Sequence, residues 1–246
     1  MAAKIAVRNL WKIYPTPDGP LSVLEGIDFT VAEGEFVAVV GPSGCGKTTL
    51  LNIVAGFEPG DRGAVAVDAV PVSGPSRKGI VISQQGSVFP WLTVRRNLMF
   101  GLDGLPRQEK RRLADHYAEL VGLKGFEEAF PYQTSGGMLK RVEVARALVV
   151  KPEILYMDEP FAALDALTRV RMRLELLRIL AQEKHTVLLV THDVEEAIHL
   201  ADRILILSSR PASIRSILKV PFAQPRKLTS PEFIELKEQI LRELGV

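Results

Sequence analysis

The stretch "EFVAVVGPSGCGKTTLLNIVAG" constrains this chain more than any other. "FVAVV" is a short run of apolar residues without alternation, which reads as a strand buried on both faces. "GPSGCGKTT" then fits G-x-x-x-x-G-K-[ST], with Gly41, Gly46, Lys47 and Thr48 at the fixed positions. "KTTLLNIVAG" reads as a helix ending at Gly56. The glycines let the backbone curl so that successive N–H groups point at phosphate oxygens. Lys47 reaches β- and γ-phosphates as a point charge, and the Thr48 hydroxyl can ligate Mg²⁺. Cys45 lies inside this loop near a helix start, where its thiol pKa is expected to be lowered and its sulfur reactive.

A strand feeding a helix through such a loop predicts an α/β layer, and the remaining chain agrees. "EILYMD", "TVLLV" and "RILILS" read as buried strands, separated by the helices "ALTRVRMRLELLRILAQE" and "VEEAIHLA". "KIAVRNLWKIY" and "SVLEGIDFTV" read as strands around the turn-rich "PTPDGP", and "GAVAVDAVPVSGP" as a further hairpin. From about Val88 to Val150 the pattern is helical, and "SPEFIELKEQILRELGV" predicts a last helix with a Ser-Pro start. The 246 residues suffice for one large domain or a domain with a subdomain. A net charge of +2 makes no case for nucleic acid or an anionic membrane surface. "RQEKRR" reads as the solvated face of a helix. The only cysteine is Cys45, so no intramolecular disulfide forms. No apolar run approaches the roughly 20 residues that span a bilayer, and the N-terminus lacks a signal peptide's apolar core. A soluble intracellular protein is expected.

Further polar residues gather at predicted strand ends. "ILYMDEP" puts Asp158 and Glu159 at the end of an apolar strand, where neighbours point to opposite faces and cannot share one role. Asp158 then suits Mg²⁺, and Glu159 suits the polarisation of an attacking water. "TVLLV" runs into "THD", which places His192 at the same edge, suited to a γ-phosphate or that water. His116, His185 and His199 read as structural. Gln84, in "VISQQGSVFPWLTV", follows another apolar run and can offer an amide oxygen to Mg²⁺ or water. "QTSGGMLKR", Gln133 to Arg141, sets a Ser and two glycines before a helix, a second start at which free N–H groups can hold an anion.

These motifs, in this order and spacing along essentially the whole chain, resemble the ATP-binding cassette subunit of an ABC transporter. The resemblance implies an ABC-type P-loop ATPase core with a mainly parallel central sheet, an N-terminal antiparallel β part and an inserted α-helical subdomain. As one domain it would place its core at 1–87 and 151–246 and the helical subdomain at about 88–150. It implies ATP and Mg²⁺ as cofactors. Tyr14 matches the aromatic that stacks on adenine, and Gly41, Pro42, Ser43, Gly44, Cys45, Gly46, Lys47, Thr48 and Thr49 match the phosphate loop. Thr48, Gln84 and Asp158 match the metal-binding groups, while Glu159, Gln84 and His192 match the catalytic ones. Ser135, Gly136 and Gly137 match the signature that closes on the ATP of a partner cassette, and Asp165 in "AALD" matches the D-loop. The resemblance further implies a head-to-tail dimer, with a second copy or a paralogous cassette, in which the second anion site serves the partner's ATP.

The signature departs from the family's Leu-Ser-Gly-Gly-Gln: Thr134 replaces the leucine and is expected to weaken packing beneath the loop. Met138 replaces the glutamine, and Lys140 stands where relatives often have Gln. Ser83 and Gln85 flank Gln84 where relatives often have Phe and Glu. "FPWLTVRRNLMFGL", "VSGPSRKGIVISQ" and "PFAALDALTR" resemble the nitrate, sulfonate and taurine branch of importer cassettes. That branch implies a peripheral position on the cytoplasmic face of the inner membrane, permease subunits and, indirectly, a solute-binding protein. Phe89, Trp91, Leu92 and Met99 are its candidate permease contacts, and aromatics and methionines suit adaptable interfaces. Their alternative is packing within the helical subdomain. From the short stretch after the last strand, no regulatory domain of the sugar- or methionine-importer kind is expected. Two other readings stay open, a soluble cassette ATPase acting on nucleic acid or ribosomes and a non-hydrolysing regulatory cassette.

Overall fold

The structure is a computed structural model that describes residues 3–84, 86–162, 164–182 and 184–245. Gln85, Ala163 of "AALD" and Glu183 at the end of a predicted helix lie outside the described residues. In chain order the elements are β1 (Ala3–Thr16), β2 (Gly19–Ala32), β3 (Phe36–Val40), α1 (Lys47–Val54), β4 (Arg62–Val67), β5 (Val70–Pro71) and β6 (Gly79–Ile82). There follow α2 (Val94–Met99), α3 (Arg107–Leu120), α4 (Gly136–Leu148), β7 (Ile154–Asp158) and α5 (Ala166–Gln182). The chain ends with β8 (Thr186–Thr191), α6 (Val194–Leu200), β9 (Arg203–Leu207), β10 (Ile214–Lys219) and α7 (Pro231–Leu244). They fall into two compact units: Met1–Gly79, Ile154–Asp158 and His185–Val246 form the first, Ile80–Glu153 and Glu159–Lys184 the second.

Two sheets build the first unit. The antiparallel one has the order β2-β1-β4-β5. In the other, β10, β9, β3, β8 and β7 lie side by side, with β9, β3, β8 and β7 parallel and β10 antiparallel to β9. Every residue of β3, β7 and β8 is buried, as the unbroken apolar runs require of strands covered on both faces. Helices α1 and α6 pack against these strands, and α7 packs on α6 and β9. Strand β10 was not legible in the sequence: its alternation of half-buried and exposed residues marks an edge strand, without the buried run that identified the others.

The stretch "PTPDGP" is mostly strand. Thr16 pairs with Gly19, so the turn shrinks to Pro17 and Asp18, with Gly19 at φ 114° taking the positive φ the hairpin needs. Further along β1 the register shifts between Val7 and Leu10, and Asn9 sits there at φ 44°, a conformation Asn tolerates. Gly63 of β4 meets this irregularity so closely that a Cβ would lie 2.2 Å from the Asn9 carbonyl oxygen.

The carboxyl end of α6 is closed by a distant side chain. Buried Arg226 donates through Nη1 to the carbonyls of Ile198 and Ala201, each at 2.7 Å, and through Nε to Phe222 at 3.0 Å. A helix end leaves such carbonyls orphaned, and a buried one needs a partner.

In the second unit α2 packs on α3 and α4. Ala114, Tyr117 and Ala118 form the buried stripe of α3, while the basic Arg107–Arg112 run is mostly exposed, as its reading as a solvated face anticipated. Asn97 of α2 is fully buried and organises the segment before its helix: its amide donates to the carbonyls of Phe89, Leu92 and Thr93, and Oδ1 accepts from the Phe89 N–H at 2.9 Å. Among the described residues no helix is long and apolar enough to cross a membrane.

Replacing Arg226 by Met keeps the volume but strips two buried carbonyls of their donor. The expected cost is about 3 kcal/mol, seen as a fall of about 5–10 °C in the thermal midpoint. A midpoint within a degree of wild type would show that the carbonyls find other donors.

Candidate nucleotide site

Strands β3, β8 and β7 are parallel and adjacent, and their register pairs Val40 with Thr191 and Asp158 with Val190. The carboxyl ends of all three therefore lie along one sheet edge, where α/β sheets place their ligands. The chain leaves β3 at Gly41, β8 at Thr191 and β7 at Asp158, so the phosphate loop, His192 and Asp158 gather at that edge by strand pairing alone.

Gly46 turns the loop into α1 at φ 118°, and a Cβ there would lie 2.7 Å from Val23 Cγ1. Both the backbone and the space call for glycine. Gly41 is as tightly placed, since an added Cβ would lie 2.9 Å from Cys45 Sγ. The first helical bond of α1 runs from Leu50 N–H to Gly46 carbonyl at 2.9 Å. The N–H groups of the preceding turn, Lys47 to Thr49, have no acceptor in the helix and carry its positive dipole end. Pro42, Ser43 and Gly44 form the exposed rim of the loop. Buried Lys47 donates from Nζ to the carbonyls of Gly41 at 2.8 Å and Pro42 at 3.0 Å, which holds its ammonium at the loop mouth. Thr48 Oγ1 donates to Asp158 Oδ1 at 3.2 Å, uniting the two oxygen groups that the sequence offered to Mg²⁺. A hydroxyl and a buried carboxylate side by side are hard oxygen donors of the kind this ion takes.

Cys45 corrects an expectation. Its side chain is buried, and that burial pushes the thiol pKa up, outweighing the opposing pull of the Lys47 charge and the loop N–H groups. The helix start acts in the direction foreseen, but desolvation wins because the sulfur points into the protein, against Gly41.

Tyr14, on β1, donates its hydroxyl to Glu58 Oε1 at 2.5 Å, and the Lys12 ammonium lies 5.0 Å from the centre of its ring. Burial and the bond to Glu58 raise the phenol pKa, while Thr49 of α1 draws it back. His192 is exposed on a turn fixed from both sides: the Asp193 N–H donates to Thr191 Oγ1 at 3.0 Å, and Asp193 caps α6 by accepting from the Glu196 N–H at 3.0 Å. Glu196 in turn accepts from the Thr191 hydroxyl, a buried pair that the sequence did not advertise.

The second unit carries the remaining residues. Strand β7 ends at Asp158, so Glu159 is oriented by a left-handed turn at φ 45° and not by the strand's alternation. Gln84 Nε2 donates to Glu159 Oε2 at 3.2 Å, which joins the two catalytic candidates of this unit. Ser135 is the N-cap of α4 and accepts from the Met138 N–H at 3.3 Å, with Gly136 and Gly137 in the first turn. Thr134 turns its hydroxyl onto the Pro131 carbonyl at 2.8 Å. Asp165 accepts from the Thr168 N–H at 3.0 Å at the start of α5, and the Thr168 hydroxyl and N–H hold its carboxyl below the usual range. Sequence reading missed Asn97, Lys140 and Glu143 as organising groups; a lone amide and an i, i+3 charge pair announce themselves only through burial.

The family model described as ABC transporter matches residues 24–162. An uncharacterized ABC transporter ATP-binding protein of Methanocaldococcus jannaschii is 47% identical over 99% of this chain and 92% of its own length. A nitrate import ATP-binding protein of Synechococcus elongatus is 41% identical over 94% of this chain and 87% of its own. An aliphatic sulfonates import ATP-binding protein of Bacillus thuringiensis is also 41% identical, over 97% and 95%. Among solved structures, a dimeric ATP-binding cassette in a post-hydrolysis state, bound to ADP and Pi, superposes with a TM-score of 0.79 at 29% identity, covering 89% of this chain and 100% of that one. The fold described above is that of an ATP-binding cassette, and the chain belongs to the ABC transporter family as an ATP-binding subunit.

Proposed function

We propose that this chain hydrolyses ATP to drive a membrane permease that imports a small solute, of the kind the nitrate and sulfonate relatives are named for. The observation that carries the ATPase reading is the Thr48–Asp158 contact of 3.2 Å at the mouth of the phosphate loop. The loop from Gly41 to Thr49 binds the phosphates through backbone N–H groups, and Lys47, whose ammonium bonds the Gly41 and Pro42 carbonyls, exchanges these partners for phosphate oxygens. Tyr14 stacks on the adenine. Thr48 and Asp158 would hold Mg²⁺, with Gln84 the further ligand that the resemblance implies, and the ion would neutralise developing phosphate charge. Glu159 takes a proton from the attacking water, and Gln84 keeps its carboxylate oriented. His192 donates to the γ-phosphate or that water.

The signature turn, Ser135 to Gly137, serves the ATP of a second cassette, its glycine N–H groups lying in the first turn of α4 at the positive end of the helix dipole. The D-loop residue Asp165 stands beside that partner. We assign the chain one cassette domain, with 88–150 as its helical subdomain, at the cytoplasmic face of the inner membrane. For permease docking the second unit offers an aromatic cluster: Phe89 packs 5.4 Å from Trp91 and 4.5 Å from Phe100, ring centre to ring centre. Trp91 and Phe100 are 69% and 61% exposed, a costly display unless a partner covers it. Leu92 and Met99 are half-buried beside the cluster's residues in the chain.

Glu159→Gln is expected to lower ATP turnover by about 100-fold or more while an ATP-dependent dimer accumulates in size-exclusion chromatography; an unchanged rate removes Glu159 as the base. Trp91→Ala is expected to lose co-purification of a polytopic permease from gently solubilised membranes, with ATP binding intact. Retained co-purification moves the docking surface elsewhere. Cys45 is expected to react with iodoacetamide at neutral pH about tenfold or more slowly than an exposed thiol, and at the ordinary rate once urea unfolds the chain. Fast labelling of the native protein would show that the loop opens.

A further inference from the structure

Three side chains of α4 at three-residue spacing, Lys140, Glu143 and Arg146, grip the chain between Ser83 and Phe89. Lys140 Nζ donates to the Ser83 carbonyl at 2.7 Å and pairs with Glu143 Oε2 at 2.8 Å. Glu143 Oε1 accepts from the Ser87 N–H. Arg146 Nη2 donates to Ser87 Oγ at 2.6 Å, and its guanidinium lies 4.8 Å from the centre of the Phe89 ring. The gripped segment contains Gln84, and its described residues from Ser83 to Phe89 form neither helix nor strand. Side chains of α4 therefore supply the hold that a sheet ladder would otherwise give.

The Lys140 and Glu143 side chains are only 7% and 2% exposed. Removing two charges from water is unfavourable unless both are fully bonded, and an apolar pair would pack there at lower cost. What the charges add is direction: one donor for a chosen carbonyl and one acceptor for a chosen N–H. They fix a register between α4, which begins at the Ser135 cap, and the segment bearing Gln84, whose amide reaches Glu159 at 3.2 Å.

We propose that Lys140 and Glu143 are positioning residues for ATP hydrolysis, tying the Gln84 segment to the helix that carries the signature turn so that both keep one geometry. This rests on the reading of Glu159 and Gln84 as the hydrolytic pair. Neither positioning residue touches nucleotide, so losing them slows turnover without weakening ATP binding.

Two variants of the full chain test it, each followed by amide hydrogen exchange of segment 83–89, nucleotide binding and Mg-ATPase kinetics. The double variant Lys140→Met/Glu143→Leu removes both charges and leaves neither partner stranded. The swap Lys140→Glu/Glu143→Lys keeps an ion pair but reverses it, so residue 140 cannot donate to Ser83 and residue 143 cannot accept from Ser87. In both, the segment is expected to exchange about tenfold faster, and kcat to fall about tenfold, with KM and ATP affinity within about twofold of wild type. The proposal is overturned if the segment stays as protected as in wild type. It is equally overturned if the segment loosens while kcat is unchanged, or if the swap restores full activity. Glu159→Gln assayed alongside tells the two readings apart, since an active Glu159→Gln protein defeats the hydrolytic assignment by itself.

Discussion

The register in which β3 pairs with β8, and β8 with β7, decides where the polar groups of the first unit stand. These strands are buried throughout, so they have no freedom to slip: a shift by one residue would turn every side chain to the other face. With Val40 opposite Thr191 and Val190 opposite Asp158, three strand ends coincide. The phosphate loop, the buried carboxylate and the exposed histidine then need no further device to assemble. Thr48 closes the arrangement by donating to Asp158, which ties the first turn of α1 to the end of β7.

That dependence explains what the sequence revealed. The phosphate loop was legible because its chemistry is local: Gly46 must adopt φ 118° beside Val23, and Lys47 and Thr48 follow at fixed offsets. The buried strands were legible because unbroken apolar runs have few other uses. Asp158 and His192 were legible as residues that follow such runs. Local rules failed where three-dimensional packing overrides them. Cys45 obeys its burial before its helix end. Glu159 obeys a left-handed turn before the alternation of β7. Strand β10 is held by pairing with β9, which no property of its own six residues declares.

The two units solve one problem by different means. A polar site needs an immobile backbone, because misplaced donors cannot recognise a phosphate or a water. In the first unit the sheet supplies that immobility, with Arg226 closing the end of α6 and Asp193 capping its start. In the second unit the described residues from Ser83 to Phe89 lie in neither helix nor strand. Asn97 binds the chain from Phe89 to Thr93 through three carbonyls and an N–H, and α4 binds the chain from Ser83 to Phe89 through Lys140, Glu143 and Arg146. Buried side-chain polar groups here take the place of backbone pairing.

The altered signature fits the same logic. A leucine at position 134 would contribute only packing, whereas Thr134 returns its hydroxyl to the Pro131 carbonyl at 2.8 Å and so tightens the turn that leads into α4. Some apolar contact is exchanged for a local hydrogen bond, and the backbone path into Ser135 is kept. Met138 replaces a polar side chain, yet its N–H still donates to the Ser135 oxygen, so the cap is intact. An anion at a helix start is bound by backbone N–H groups and the dipole, neither of which depends on the side chain at 138. The substitutions therefore alter the surroundings of the turn while the donors that define it remain.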